Sequence, residues 1–142
     1  EEAIQQMVKQ LLQHKEICVD TETTSLDALQ AALVGISFAV EPGRAMYVPC
    51  PPDSTATKKI LAQLQPLWSN SAICWIGHNI KYDLLVLRTH GIQLAGSMYD
   101  TMLAHYVVEP EGKRNMDLLS SQYLGYQPIS ITELIGKKGK QQ

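Results

Sequence analysis

The chain has 142 residues, about one domain's worth, and a hydrophobic fraction of 45% that suits a globular protein with a proper core. Its net charge of −2 excludes a protein that coats nucleic acid by charge alone, so any such contact has to be local. There is no apolar run of about 18 residues, and the acidic, amphipathic opening EEAIQQMVKQ is unlike a signal peptide.

Ile4, Met7, Val8, Leu11 and Leu12 recur at helical spacing and predict a helix over 2–13 with one apolar face. Residues 16–21 predict a strand. ALVGISFAV, 32–40, is mostly apolar and rich in β-formers, EPGR is a turn signal, and AMYVPC, 45–50, is a second arm. The two arms predict an antiparallel hairpin. After Pro51 and Pro52, a cap at Ser54 or Thr55 starts a helix that runs to about Trp68 and is broken or bent by Pro66. AICWIGHN, 72–79, predicts a buried strand, and KYDLLVLRTH, 81–90, a helix with Gly91 at its C′ position. MYDTMLAHYVV, 98–108, predicts a helix with Asp100 near its start. MDLLSSQYLGY predicts a helix ending near Gly125, and ISITELIG a short one after it. This order implies an α/β fold, a mixed sheet with helices packed on it. Cys18, Cys50 and Cys74 form no CxxC, and Cys18 and Cys74 read as buried free thiols, as in a reducing cytosol.

Two stretches carry candidate chemistry. In ICVDTETTSL, 17–26, Asp20 and Glu22 stand two residues apart on a strand, so they share a face. Two like charges that close repel, and one pKa rises unless a cation holds them. An isolated D-x-E is most often two solvent-facing acids, but this pair follows ICV with no turn residue between. A hard divalent ion takes carboxylates, and two such ions about 4 Å apart suit phosphoryl chemistry. In IGHNIKYDLLVL, 76–87, a strand ends at His78-Asn79 and a helix starts near Ile80, which puts Asp83 in its first or second turn. An acid there also simply favours the helix N-terminus, and His78 and Lys81 have ordinary readings as a satisfied polar residue and a solvated cation. Yet α/β sheets gather ligands where a strand ends and a helix begins, and the exposed N–H groups favour phosphate.

VDTETTSL together with GHNIKYDLLVL resembles the first two exonuclease motifs of the DEDD superfamily, and most closely the 3′–5′ exonuclease domain of bacterial family-A DNA polymerases. The similarity continues through LVGISFAVEPGRAMYVP, HGIQLAGSMYDTMLAHYVV and MDLLSSQYLGYQPISITELIGKKGK, nearly the whole chain. The resemblance implies a ribonuclease-H-like mixed five-stranded sheet flanked by helices, in a single exonuclease-like domain over 1–142. It also implies two-metal hydrolysis of the 3′-terminal phosphodiester of single-stranded DNA, in replication and repair. On the matched motifs, Asp20, Glu22 and Asp83 are implied as catalytic residues and as ligands of two divalent ions, Mg²⁺ or Mn²⁺. Leu26 is implied as a wedge near the terminal base, while Thr21, His78, Asn79 and Tyr82 line the single-stranded 3′ end. Lys113 or Arg114 is implied as a phosphate contact. Asp100 matches a recurrent acid of the family and is given no ligand role. The implied partners are the 3′ end of DNA and the polymerase domain of the same parent chain. A monomer in the bacterial cytosol, without membrane, is expected.

The family's third motif, Tyr-x-x-x-Asp or its His version, supplies a fourth carboxylate and a tyrosine that orients water. Tyr82, Tyr99, Tyr106, Tyr123 and Tyr126 are each followed, four residues on, by something other than Asp, and Glu133 is the only acid after Asp117. With no initial Met and the Gly- and Lys-rich end IGKKGKQQ, the chain reads as a piece truncated before that motif. Alone, the piece is expected to be weak or inactive. A ribonuclease-D-like RNA exonuclease is an alternative, against which the polymerase-like GISFAVEPG run and ITELIGKKGK tail count. A non-catalytic scaffold domain is another, against which the retained acids count. Trp68 and Trp75 read as core, His14, His90 and His105 lie in no metal spacing, and Lys137, Lys138 and Lys140 read as a loop end.

Overall fold

The computed structural model describes residues 2–129 and residue 133. They fall into two compact units, one up to Thr101 and one from Met102 onward, taken here in turn.

The first unit is built on five strands: β1 (Glu16–Thr23), β2 (Leu33–Glu41), β3 (Arg44–Pro49), β4 (Cys74–Gly77) and β5 (Ser97–Asp100). Their order is β3-β2-β1-β4-β5. β1–β2 and β2–β3 are antiparallel, and β1–β4 and β4–β5 are parallel. The hairpin arises because Pro42 and Gly43 turn the chain between the paired Glu41 and Arg44, with Gly43 at φ 78°. Parallel pairing needs crossovers. The one into β4 runs through α2 (Ser54–Gln63) and α3 (Gln65–Trp68), and the one into β5 through α4 (Ile80–Thr89). An N-terminal helix, α1 (Glu2–Leu11), completes the unit.

Three expectations need correction. The segment Ser97–Asp100 is a strand, so the helix read from Met98 begins only at Thr101. Pairing with β4, where Met98 lies beside Trp75 and Tyr99 beside Ile76, decides the conformation, and local helical spacing does not report it. The cap of α2 is Asp53, whose carboxylate accepts from the amides of Thr55 (2.8 Å) and Ala56 (2.9 Å). Ser54 is already helical, and a carboxylate also suits the positive helix end. Cys18 is exposed and Cys74 half-buried, leaving Cys50 as the buried thiol. An apolar run in a strand with one covered face still turns alternate residues outward, and Cys18 is one of them. The break before Trp68 falls at Leu64, with Pro66 in the first turn of α3, and Gly91 follows α4 at φ 76°.

The core is centred on three aromatic rings. Phe38 and Trp68 have centroids 5.8 Å apart and Trp68 and Trp75 5.6 Å apart, both tilted. Each indole N–H finds a carbonyl, Trp75 that of Ala95 at 2.8 Å and Trp68 that of Leu61 at 3.3 Å. Ile17 and Val19 of β1, Ile36 of β2, Val48 of β3 and Val86 and Leu87 of α4 close around them.

The second unit holds α5 (Thr101–Val108) from its second residue on, followed by α6 (Met116–Leu124), which Gly125 ends in the left-handed region at φ 61°. The His105 ring meets Tyr123 edge-on at 5.8 Å, and the Arg114 guanidinium lies over the Tyr106 ring at 4.8 Å. The short helix expected over ISITELIG falls outside the described residues apart from Ile129 and Glu133, and Lys137, Lys138 and Lys140 fall wholly outside them.

Trp75 is fully buried between strand and helix layers. Its replacement by Ala should destabilise the fold by about 3–5 kcal/mol in denaturant unfolding, whereas a surface substitution at Lys59 should change little.

Candidate active site

β1 alternates strictly, with Ile17, Val19 and Thr21 inward and Cys18, Asp20 and Glu22 outward. The two acids therefore share the solvent-facing side, as the period of two requires. On that side Asp20 pairs with Ser37, which pairs with Tyr47, and Glu22 pairs with Gly35. The Tyr47 ring lies across Gly35, in the space that a side chain there would fill. Glycine at 35 thus lets an aromatic ring settle one strand away from the acids.

β4 stops short of β1. Their last pair is Cys18 with Ile76, so beyond it the β4-side edge of β1 has no strand beside it. Asp83 of α4 occupies that edge. Its Oδ1 accepts the Thr21 backbone N–H at 2.8 Å and the Thr21 hydroxyl at 2.6 Å. Asp83 is only 3% exposed and Thr21 7%, and each is the polar partner that permits the other's burial. Both bonds go to Oδ1, and neither uses Oδ2.

Burial is the main cause that pushes the Asp83 carboxyl up, while the Thr21 hydroxyl and amide pull it down and the charge of Asp100 adds to the rise. Asp20 is pushed up to about 6, first by partial desolvation, then by the charge of Asp83, then by that of Glu22. Asp20 stays open to water on its outward face, which tempers the desolvation.

Asp83 is set by the turn from β4 into α4. Asn79 caps the helix at φ 65°, ψ 43°, the only non-glycine positive φ among the described residues, with no side-chain cap bond. Asn tolerates this region better than most residues. Gly77 permits the sharp entry, since a Cβ there would press on the Ile80 side chain at 2.9 Å. Asp100, level with Gly77 at the end of β5, accepts the Asn79 amide on Oδ1 (3.0 Å) and the Ile80 amide on Oδ2 (3.1 Å). Thr101 Oγ1 meets His78 Nδ1 at 2.9 Å and donates to the Gly77 carbonyl at 3.2 Å. The acid that the sequence left without a role is thus a helix cap supplied from the next strand. Its signal was an Asp-Thr pair closing a strand, and it reads as such only once β5 is known to be a strand.

Tyr82 lies one residue before Asp83. Its hydroxyl bonds the Thr23 hydroxyl and the Ser25 carbonyl, tying α4 to the loop after β1. That loop is further held by Thr24 and Ala32, which exchange bonds at 3.1 and 3.0 Å. On it, Leu26 is 90% exposed, a large apolar side chain held out on a fixed support. Thr21, Tyr82 and Asp83 are therefore brought to the junction of β1 and α4, while His78 and Asn79 sit in the turn from β4 into α4, bonded to Thr101 and Asp100. Lys113 and Arg114 belong to the second unit, where Lys113 is exposed and Arg114 also donates to the Pro110 carbonyl at 2.8 Å.

Among the described residues, no three His, Cys, Asp or Glu side chains already close up as an ion cage. The chemistry of the donor set fits a hard divalent ion nonetheless. Asp20, Glu22 and Asp83 offer only carboxylate oxygens, and Asp20 carries the uncompensated repulsion that a cation would relieve.

A mixed five-stranded sheet in this order, with acids at the end of its central strand, is the ribonuclease-H-like exonuclease fold. A family profile described as 3′–5′ exonuclease matches residues 1–142, and the chain belongs to that family. It is 40% identical, over 94% of its length, to DNA polymerase I of Pseudomonas aeruginosa, covering 16% of that protein. The chain thus spans about a sixth of the length of such curated relatives. Among solved structures, the Mg²⁺-bound NrnC of Brucella melitensis superposes with a TM-score of 0.72 at 19% identity, over 92% of this chain and 62% of the other. Ribonuclease D of Escherichia coli does so with 0.70 at 17%, over 99% and 36%. At those identities the two structures speak for the fold alone.

Because Asp20 has a raised pKa in the folded state, the fold carries a penalty for ionising it. That penalty is absent below the ordinary carboxylate pKa near 4, grows as pH rises to about 6, and is full above that. In chelator, Asp20→Asn should therefore raise stability at pH 8 by on the order of 1 kcal/mol, allowing for solvent screening at this exposed position. The gain should vanish at pH 4. Thermal melts of both proteins at the two pH values test this, and an equal gain at both would rule out the like-charge account.

Proposed function

We propose that this chain is the editing nuclease of a bacterial DNA polymerase I, a single exonuclease domain over 1–142 that removes the 3′-terminal nucleotide of single-stranded DNA in replication and repair. The observation that carries the reading is the acid cluster, in which Asp83 and Glu22 act on Asp20 where β1 outruns β4. Asp20, Glu22 and Asp83 would hold two divalent ions, Mg²⁺ or Mn²⁺. Bound there, such ions lower the pKa of water and offset charge on the attacking and leaving oxygens of a phosphodiester.

The chain's own residues do the positioning. Thr21 keeps Asp83 in place through two donors. Leu26, exposed on its tied loop, would wedge against the terminal base, since an apolar side chain held out in water gains most by contact with an unstacked base. The Asn79 side chain, which makes no cap bond, and His78 would contact the 3′-terminal nucleotide. Tyr82 would act on the same end through the loop it ties. Lys113 and Arg114 would meet backbone phosphates. The polymerase domain of the same parent chain is the proposed partner, and a monomer in the bacterial cytosol the proposed setting. Among the described residues no helix is long and apolar enough to cross a membrane.

Decay of matched DNA and RNA oligomers with labelled 5′ ends, by the full parent chain, tests the reading. The DNA should shorten from its 3′ end, and Asp20→Ala, Glu22→Ala or Asp83→Ala should each slow it by on the order of 10²- to 10³-fold. Faster decay of RNA would favour a ribonuclease, and rates unmoved by all three substitutions would make the domain a scaffold.

A further inference from the structure

We propose that Asp100, with Thr101, is a positioning residue of the nuclease site: it fixes the origin of α4 and so the place of Asp83, without touching ions or substrate. The inference rests on the reading of Asp20, Glu22 and Asp83 as the ion-binding set.

Four bonds carry it. The Asp100 carboxylate spans two successive amides, those of Asn79 and Ile80, one on each oxygen. Thr101 holds His78 and the Gly77 carbonyl. Four consecutive residues, Gly77 to Ile80, are thereby tied to two consecutive residues where β5 passes into α5. α4 does not cap itself, because the Asn79 side chain makes no cap bond and its backbone is left-handed. The first amides of a helix have no partner within the helix, and here a neighbouring strand supplies it as a charged acceptor, which also suits the positive end of the helix.

From that origin, Asp83 stands in the first turn of α4, where its Oδ1 must meet both Thr21 donors at 2.6–2.8 Å. A tilt of the helix start moves this carboxylate directly. β5 is an edge strand of the sheet, so its last residue, Asp100, and Thr101 after it can be changed without opening the aromatic core. Groups that orient a metal ligand from behind typically alter metal affinity or activity by about 10- to 100-fold when removed.

The test uses the full parent chain and three variants: Asp100→Asn, which keeps the shape but loses the charge and one acceptor, Thr101→Val, and Asp83→Ala as reference. Mn²⁺ affinity is read by calorimetry without DNA, and kcat and KM on a single-stranded DNA oligomer are read separately. Asp100→Asn should weaken Mn²⁺ binding by roughly 10- to 100-fold and lower kcat with KM nearly unchanged. Thr101→Val should move both in the same direction by less. A residue that merely stabilises the fold would shift the melting temperature and leave the Mn²⁺ affinity of the folded fraction alone. If Asp83→Ala abolishes Mn²⁺ binding while the folded Asp100→Asn and Thr101→Val proteins bind as the parent does, the positioning role is overturned. If Asp83→Ala itself binds as the parent does, the ion-site reading fails and the inference falls with it. Should Asp100→Asn not fold, the Thr101→Val result alone decides.

Discussion

The site depends on one contact, that of Thr21 with Asp83. A buried carboxylate is costly unless donors hold it, and a charge-assisted hydrogen bond contributes about 1.5–3 kcal/mol. Here a backbone amide and a hydroxyl of the same residue meet a single oxygen. The contact closes the strand edge that β4 leaves open and locks the first turn of α4 against β1. It also holds the Asp83 carboxylate close enough to Asp20 for its charge to raise the Asp20 pKa, the repulsion on which the proposed cation site rests. Fold and chemistry meet in these two bonds.

The shorter β4 explains why the acids gather at this place. Had β4 extended as far as β1, the Thr21 amide would have joined the ladder and Asp83 would have had no buried donor. The early stop is made by Gly77 and the left-handed Asn79, a conformation uncommon outside glycine and frequent at functional turns. Asp100 at the end of β5 and Thr101 at the start of α5 hold that turn, and Tyr82 ties α4 to the loop that presents Leu26. The exposed leucine and the buried carboxylate are thus parts of one frame.

Much of this was legible in the sequence because it is local. The period of two put Asp20 and Glu22 on one face. Pro42 and Gly43 announced the hairpin, and His78-Asn79-Ile80 announced a strand-to-helix turn with Asp83 just inside it. What was hidden depends on partners distant in sequence. β5 is a strand only because β4 lies beside it, and Met98, Tyr99 and the residues after them fit a helical pattern equally well. Cys18 looked buried because the run around it is apolar, although alternation turns it outward. The Thr21–Asp83 contact spans 62 positions and leaves no mark in either segment alone. The resemblance to family-A exonucleases supplied the functional grouping, which neither segment's own pattern contains.

The central claim is that Asp20, Glu22 and Asp83 bound a site for divalent cations. Crystals of the protein equilibrated with Mn²⁺ and measured by anomalous diffraction test it most directly. The account predicts anomalous density within coordination distance of carboxylate oxygens of Asp20 and Asp83, with Glu22 beside it. Density bound only elsewhere on the molecule at saturating Mn²⁺, with these three carboxylates unliganded, would contradict it.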